Sequence, residues 1–444
     1  MRIKEISVSG LFGIFDHVIP LNIDERITII HGPNGLGKTA ILRILNNFFN
    51  TRYAELRTIP FRKFRVKFDD HTSVEIIKDY ENVEDSETQN IVFQFYKPDS
   101  TPASFSLKRV NIRSDRNIFI SSASEDVIPV REQTYPVTTL SFEDYVEILD
   151  NFSHSNLKSQ EEPDWLEKLK SNIHIHLIES QRLLNFVPNS SSRRSAETPS
   201  MLSTVSAYSD ELAKLMQDKF KEYGTTSQSL DRTFPRRVLK QQSSADLTDE
   251  QLRDQLNELE ATRSHLIEVG LLDKDEDAEF QIQPQDIDES TKNALSVYVQ
   301  DVEKKLSVFA EIATKIDLLR KIINNKFAYS YKEIHFSKEK GFVVTTSYDS
   351  SLSNSKTLLP TDLSSGEQHE LVLLYELLFK VQPNSLVLID EPELSLHVGW
   401  QVQFLKDLQD ITQLADLNIL MATHSPDIIQ DRWDLTVELK GLQK

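Results

Sequence analysis

The stretch "HGPNGLGKTA", His31 to Ala40, decides how the rest of the chain is read. It follows the apolar run Arg26-Ile-Thr-Ile-Ile30 and leads into "ILRILNNFF", giving a strand, a glycine-rich turn and a helix in that order. Gly32-x-x-x-x-Gly37-Lys38-Thr39 has the spacing of a phosphate-binding loop. Glycines let backbone N–H groups turn inward onto phosphate oxygens, and the following helix points its positive end at them. Gly32, Pro33, Asn34, Gly35, Gly37 and Ala40 then form the cradle. Lys38 bridges the β- and γ-phosphates of ATP, and the Thr39 hydroxyl ligates Mg²⁺.

Many nucleotide machines share such a loop, so the far end of the chain has to discriminate. In "SLVLIDEPELSLH", 385–397, the apolar residues Leu386 to Ile389 read as a buried strand ending in Asp390 and Glu391. Two acids at a strand end are ordinarily surface caps. Opposite a phosphate loop, Asp390 is expected to hold Mg²⁺ through water and Glu391 to polarise the attacking water, with Glu393 the next candidate base. In "LSSGEQ", 363–368, Ser364, Ser365, Gly366 and Glu367 open an apolar helix, a second anion-binding helix end. The first loop already holds the phosphates of its own chain. A second such end makes sense if it serves nucleotide bound to another copy. In "ATHSP", 422–426, His424 ends a further apolar strand.

Bulk properties narrow the class. The chain has 444 residues, 39% of them apolar, enough for two to three domains or one large domain with an insertion. No apolar run approaches 18 residues and no charged-then-apolar leader opens the chain, so a soluble cytoplasmic protein without membrane association is expected. There is no cysteine, which removes disulfides, thiolate zinc sites and cysteine nucleophiles together. The net charge of −19 argues against a protein that simply coats nucleic acid. Thr51 to Lys67 nevertheless carries six cationic residues, as a basic groove or as a solvated strand and loop. The chain has only 11 glycines, below the usual share of about 7%, and four fall in the motifs above: Gly32, Gly35, Gly37 and Gly366. Backbone requirements are expected at all four.

Segments 1 to about 120 alternate apolar and polar residues, as strands do. "IHIHLIES", 173–180, is another strand candidate, and the proline-flanked 188–200 reads as a mobile loop. Helices dominate from about 202 to 327. Leu252, Leu256 and Leu259 share one helix face. A longer helix, about Asp288 to Phe327, carries the seam Leu295, Val299, Val302, Leu306, Phe309, Ile312, Ile316, Leu319 and Ile323. Its steps are four and three with one extra three, as in a coiled coil with a stammer or in two packed helices. Strands return after 330. The expected architecture is an α/β nucleotide-binding head built from both chain ends, 1–182 and 330–444, with a helical or coiled-coil insertion at 183–329.

The order of phosphate loop, serine-glycine helix end, acid pair and histidine resembles the ABC ATPase superfamily, whose heads dimerise around two ATP molecules. The resemblance implies that Ser364 to Glu367 form a signature motif and Ser395-Leu396-His397 a D-loop. It implies that His424 contacts the γ-phosphate, and that a glutamine senses Mg²⁺. Gln181 in "LIESQRL" is the candidate, with Arg182 beside it; other glutamines also precede the insertion. About 180 residues separate Gln181 from Leu363, unlike transporter heads and like the SMC, Rad50 and RecF branch. The wording "IDEPELSLH…THSP" is similar to the OLD-like and AAA-15 ATPases of bacterial anti-phage systems. OLD-type proteins continue into a metal-binding nuclease domain, whereas this chain ends 20 residues after His424. An effector on a separate chain is therefore expected, as in two-gene systems such as PARIS, with a Toprim nuclease, or Septu, with an HNH nuclease. The resemblance implies a slowly hydrolysing ATPase that forms homo-oligomers of head dimers, senses a phage protein and gates a nuclease. A DNA-repair clamp is the alternative.

Overall fold

The computed structural model describes residues 1–81, 88–98, 100–107, 127–130, 133–136, 162–179, 184–186, 201–240, 248–274, 289–347 and 357–441. Gln181, Arg182 and the whole of the expected 188–200 loop lie outside them. The chain begins with β1 (Ile3–Leu11), β2 (Phe15–Pro20) and β3 (Ile27–His31), followed by helices α1 (Lys38–Phe49) and α2 (Tyr53–Thr58). Four strands follow, β4 (Lys63–Phe68), β5 (Ser73–Glu81), β6 (Thr88–Tyr96) and β7 (Ala103–Leu107). They join the first two in an antiparallel sheet ordered β2-β1-β4-β5-β6-β7. A two-strand pair, β8 (Val127–Val130) and β9 (Gln133–Pro136), precedes α3 (Asp164–Ser171) and β10 (Ile175–Ile178). A second pair, β11 (Leu184–Phe186) and β12 (Met201–Ser203), leads into the helical region.

Four helices fill that region: α4 (Thr204–Lys240), α5 (Asp249–Glu268), α6 (Glu289–Leu306) and α7 (Ala310–Phe327). The single long helix expected from the seam is interrupted by a 3-10 turn at Ser307–Phe309. The interruption coincides with the extra step of three from Phe309 to Ile312, because a 3-10 turn takes three residues rather than 3.6. The two halves also meet different partners. α6 packs on α4 and α5, whereas α7 packs against β13 (Lys332–Ser337) and two helices of the C-terminal lobe. Leu252 and Leu259 are buried and Leu256 packs on the same core, as their shared face predicts.

After β13 come β14 (Gly341–Thr346) and β15 (Thr357–Leu358), then α8 (Ser365–Tyr375), β16 (Leu386–Asp390), α9 (Val398–Ala415), β17 (Asn418–Ala422), α10 (Pro426–Ile429) and β18 (Thr436–Glu438). The central sheet is parallel and ordered β10-β16-β17-β3-β18. It is a P-loop fold assembled from both chain ends, since N-terminal β3 lies between C-terminal β17 and β18. Parallel sheets are covered on both faces, so their strands are apolar throughout. In β16, Leu386 and Leu388 face one core with α1 and the antiparallel sheet. Val387 and Ile389 face the other, with α8, α9 and the roots of α4 and α7. The helices therefore share their core with the sheet.

The cationic stretch 51–67 is largely paired. Lys63 and Arg65 both bind the buried Glu75 carboxylate, at 2.8 and 3.2 Å, and Lys67 binds Glu5 at 2.6 Å. Arg57 donates to the Leu107 carbonyl at 3.1 Å. This is the solvated-strand reading rather than an open basic groove. No helix among the described residues is long and apolar enough to cross a membrane.

Candidate functional site

The loop between β3 and α1 is shaped by glycine torsions. Gly32, Gly35 and Gly37 have φ of 144°, 84° and 89°. A Cβ on Gly37 would lie 2.3 Å from Leu11 Cδ2, and one on Gly32 would lie 2.8 Å from the Leu439 carbonyl oxygen. Neither position accepts a side chain. Gly366 differs from the expectation: it lies inside α8 and is not among the positive-φ glycines.

Lys38 is buried, and its Nζ donates to the carbonyls of Gly32 at 2.9 Å and Pro33 at 3.2 Å. The ammonium folds back over the loop that would cradle phosphate. Burial lowers its pKa, and the carboxylates of Glu391, Asp390 and Glu393 oppose that shift. At the end of β16, Asp390 Oδ1 accepts the Thr39 hydroxyl at 3.0 Å. Burial pushes the Asp390 carboxyl up to about 6. Its hydrogen-bond partner, the Thr39 hydroxyl, is itself a good Mg²⁺ ligand. Thr39 and Asp390 therefore fit the metal expected of them. Among the described residues no group of three or more His, Asp or Glu side chains could enclose a metal alone, so phosphate and water would complete the shell.

Glu391 follows directly in the left-handed region, at φ 44° and ψ 58°, with its N–H on the Ala422 carbonyl at 2.9 Å. A non-glycine residue held there is strained, and such strain clusters at functional sites. Its Oε1 stands 3.5 Å from Nε2 of His424, at the exit of β17. The other ring nitrogen, Nδ1, is 3.5 Å from Lys38 Nζ. Lys38, Thr39, Asp390, Glu391 and His424, drawn from three strand ends, thus converge at one point.

The serine-glycine motif sits elsewhere. Ser364 caps α8: its Oγ accepts the Glu367 N–H at 3.4 Å, and its own N–H donates to Glu367 Oε2 at 2.8 Å. Glu367 also receives the Lys332 ammonium at 2.8 Å and the Ser330 hydroxyl at 2.9 Å. Burial opposes its ionisation, but Lys332 and the other donors outweigh that and hold the carboxyl below its usual range. Glu367 was expected among the nucleotide contacts; its side chain is instead the anchor of the helix end. One turn on, the Glu370 carboxylate meets Lys326, which also binds Asp407 at 2.8 Å, so α7, α8 and α9 share one buried charge cluster. Lys332 and Lys326 were not singled out from sequence, where a lysine beside a strand or late in a helix reads as solvated.

Ser364, Ser365 and Gly366 line an open groove of about 800 Å³ whose opposite wall is Leu394, Leu396 and His397. Tyr329 and Leu394, which line it, are both exposed. Among the described residues, none from Gly32 to Thr39 lines this groove, nor do Asp390, Glu391 or His424.

The AAA ATPase domain family, AAA_15, matches residues 1–429. Among solved structures, the chain is similar to the Smc head domain with an extended coiled coil bound to the C-terminal domain of ScpA from Pyrococcus furiosus. Identity is 11%, over 99% of this chain and 94% of that one, with a TM-score of 0.33. The SMC head domain from Thermotoga maritima is 10% identical, over 97% of this chain and 92% of that one, also with a TM-score of 0.33. No curated protein matches the sequence. With its family match running from the first strand past the histidine, the chain belongs to the AAA_15 family of AAA ATPase domains.

Proposed function

We propose that the chain is a magnesium-dependent, ABC-type ATPase head that hydrolyses ATP only as a pair, each nucleotide held by the loop of one copy and the serine-rich helix end of the other. The separation of the 364–366 groove from the converging Lys38, Asp390, Glu391 and His424 carries this reading. One chain presents two halves of a phosphate site facing different space.

In each half, the chemistry follows from the side chains. The backbone N–H groups of the loop from Asn34 to Ala40 cradle phosphate oxygens, and Lys38 exchanges the Gly32 and Pro33 carbonyls for the β- and γ-phosphates. Thr39 and Asp390, with Gln181, would hold Mg²⁺, which neutralises charge developing on the phosphates. Glu391 polarises the attacking water, and His424 contacts the γ-phosphate. Ser364, Ser365 and the Gly366 N–H close over the γ-phosphate of the partner copy. The family resemblance leads us to expect slow turnover.

Mixing two inactive variants tests the shared site. Lys38→Ala lacks a loop and Ser365→Arg lacks a helix end, so each alone is inactive. Mixed, they form one intact composite site, and turnover returns to about a quarter of wild type, given random pairing and one intact site in half of the dimers. A mixture that stays inactive would refute the pairing.

Residues 1–182 and 330–444 form the head in this reading, and 183–329 the insertion. The motif wording of the chain supports reading it as a cytoplasmic defence ATPase that recognises a phage protein and restrains a separate nuclease. The pairing of cations along β4 with Glu75 and Glu5 gives no support to the DNA-clamp alternative. Co-expression with the neighbouring open reading frame checks the role: the effector should co-purify and be released when the trigger is added with ATP.

A further inference from the structure

We propose that Glu393 is a positioning residue that sets His424 in place and ties it to the groove wall; the inference rests on the ATPase reading above. The β16–β17 ladder ends at Ala422. Beyond it, the Thr423 N–H donates to Ile30 at 3.1 Å, and the Ser425 N–H to the Thr423 hydroxyl at 3.0 Å. The His424 N–H, between them, donates to Glu393 Oε1 at 2.5 Å. One carboxylate oxygen thus fixes the peptide that carries the imidazole, and the ring stands between Lys38 and Glu391.

A second strut runs alongside. Gln401 Nε2 donates to the Glu393 carbonyl at 3.4 Å and to Leu396 at 3.3 Å, and its Oε1 accepts the Ser425 hydroxyl at 2.6 Å. The turn after β16 and the turn after β17 are therefore strapped together on both sides of His424. The other Glu393 oxygen, Oε2, is buried and has no hydrogen-bond partner among the described residues. A buried, half-satisfied carboxylate destabilises a fold, so stability does not explain its presence. The base role does not explain it either, because Glu391, not Glu393, meets the imidazole of His424. The same short turn sends Leu394 and Leu396 into the groove. A copy docking there presses on the turn that holds the histidine, linking pairing to the chemistry.

The test compares Glu393→Ala with Glu393→Gln, whose amide oxygen can still accept the His424 N–H. Two readouts are taken: steady-state kinetics of the full chain, and hydrogen exchange of the His424 amide in nucleotide-free protein. Glu393→Ala should lower kcat by about 10- to 100-fold with ATP affinity within about threefold, and speed exchange at His424 by about tenfold or more. Glu393→Gln should restore kcat to within about threefold of wild type and keep the amide protected. Glu393→Gln as inactive as Glu393→Ala would make the charge itself essential and overturn the proposal. So would unchanged exchange in Glu393→Ala, a result that needs no turnover; if Glu393→Ala proves unstable, the Glu393→Gln kinetics and exchange decide instead. An inactive wild-type chain would count against the ATPase reading alone, with the exchange readout still deciding this one.

Discussion

The loop side and the serine side of this head, both of which we propose to meet phosphate, are built by opposite means. The loop side is folded onto itself. Its lysine rests on its own carbonyls, its threonine on Asp390 and its histidine beside Glu391. The serine side is open. Its helix is braced by Lys332 and Lys326, and its serine end lines a groove of about 800 Å³ along which Tyr329 and Leu394 are exposed. A site that satisfies its own groups can bind alone, whereas one that leaves its front open is half of something. The contrast teaches that binding and turnover should separate on mutation.

Lys38→Ala breaks the comparison most severely. ATP affinity should fall about 100-fold or more, measured by titration calorimetry, because the open side cannot hold nucleotide unaided. Retained affinity would make the two sides equals. Glu391→Gln should slow hydrolysis by about 100- to 1000-fold while ATP still binds, measured as phosphate release against bound nucleotide. Lys332→Met sharpens the other side: it strands the buried Glu367 carboxylate, lowering stability by about 3 kcal/mol in denaturant titration. Turnover should drop about tenfold, with ATP affinity within about twofold.

The smallest effects concern Asp390. Its carboxyl is raised to about 6, above the unfolded value, so its burden on the fold is absent below the unfolded pKa and grows as pH rises through 6. Asp390→Asn should raise the Tm of nucleotide-free protein at pH 8, by about 2 °C or more, and leave it unchanged at pH 4. In the wild type, Mg²⁺-dependent affinity should fall about tenfold from pH 7 to pH 5 as the carboxylate takes up its proton.

The loop side was the more legible in sequence, and the reason is physical. Gly32, Gly35 and Gly37 are dictated by torsions that other residues resist, so their spacing survives as a pattern. Asp390 and Glu391 follow an unbroken apolar strand, which marks them. The bracing of the serine side was hidden. Lys332 meets Glu367 across a separation of 35 residues, and Lys326 meets Glu370 across 44, and no local pattern encodes either meeting. Glu393 was visible only as a spare acid, because its partner is a backbone N–H. The break between α6 and α7 lay in plain sight as an extra step of three, an irregularity equally at home in a coiled coil.

The placement of β3 between β17 and β18 has a consequence for how the molecule comes into being. A ribosome lays down the phosphate loop well before its chemical partners, with Lys38 and His424 386 positions apart. Closing so long a span adds little to the equilibrium cost, which grows only logarithmically, but it slows assembly. The strands that flank β3 arrive together, long after it. A translation product interrupted before β17 therefore carries a loop with no sheet neighbours to hold it, and the site cannot assemble until both strands have been made.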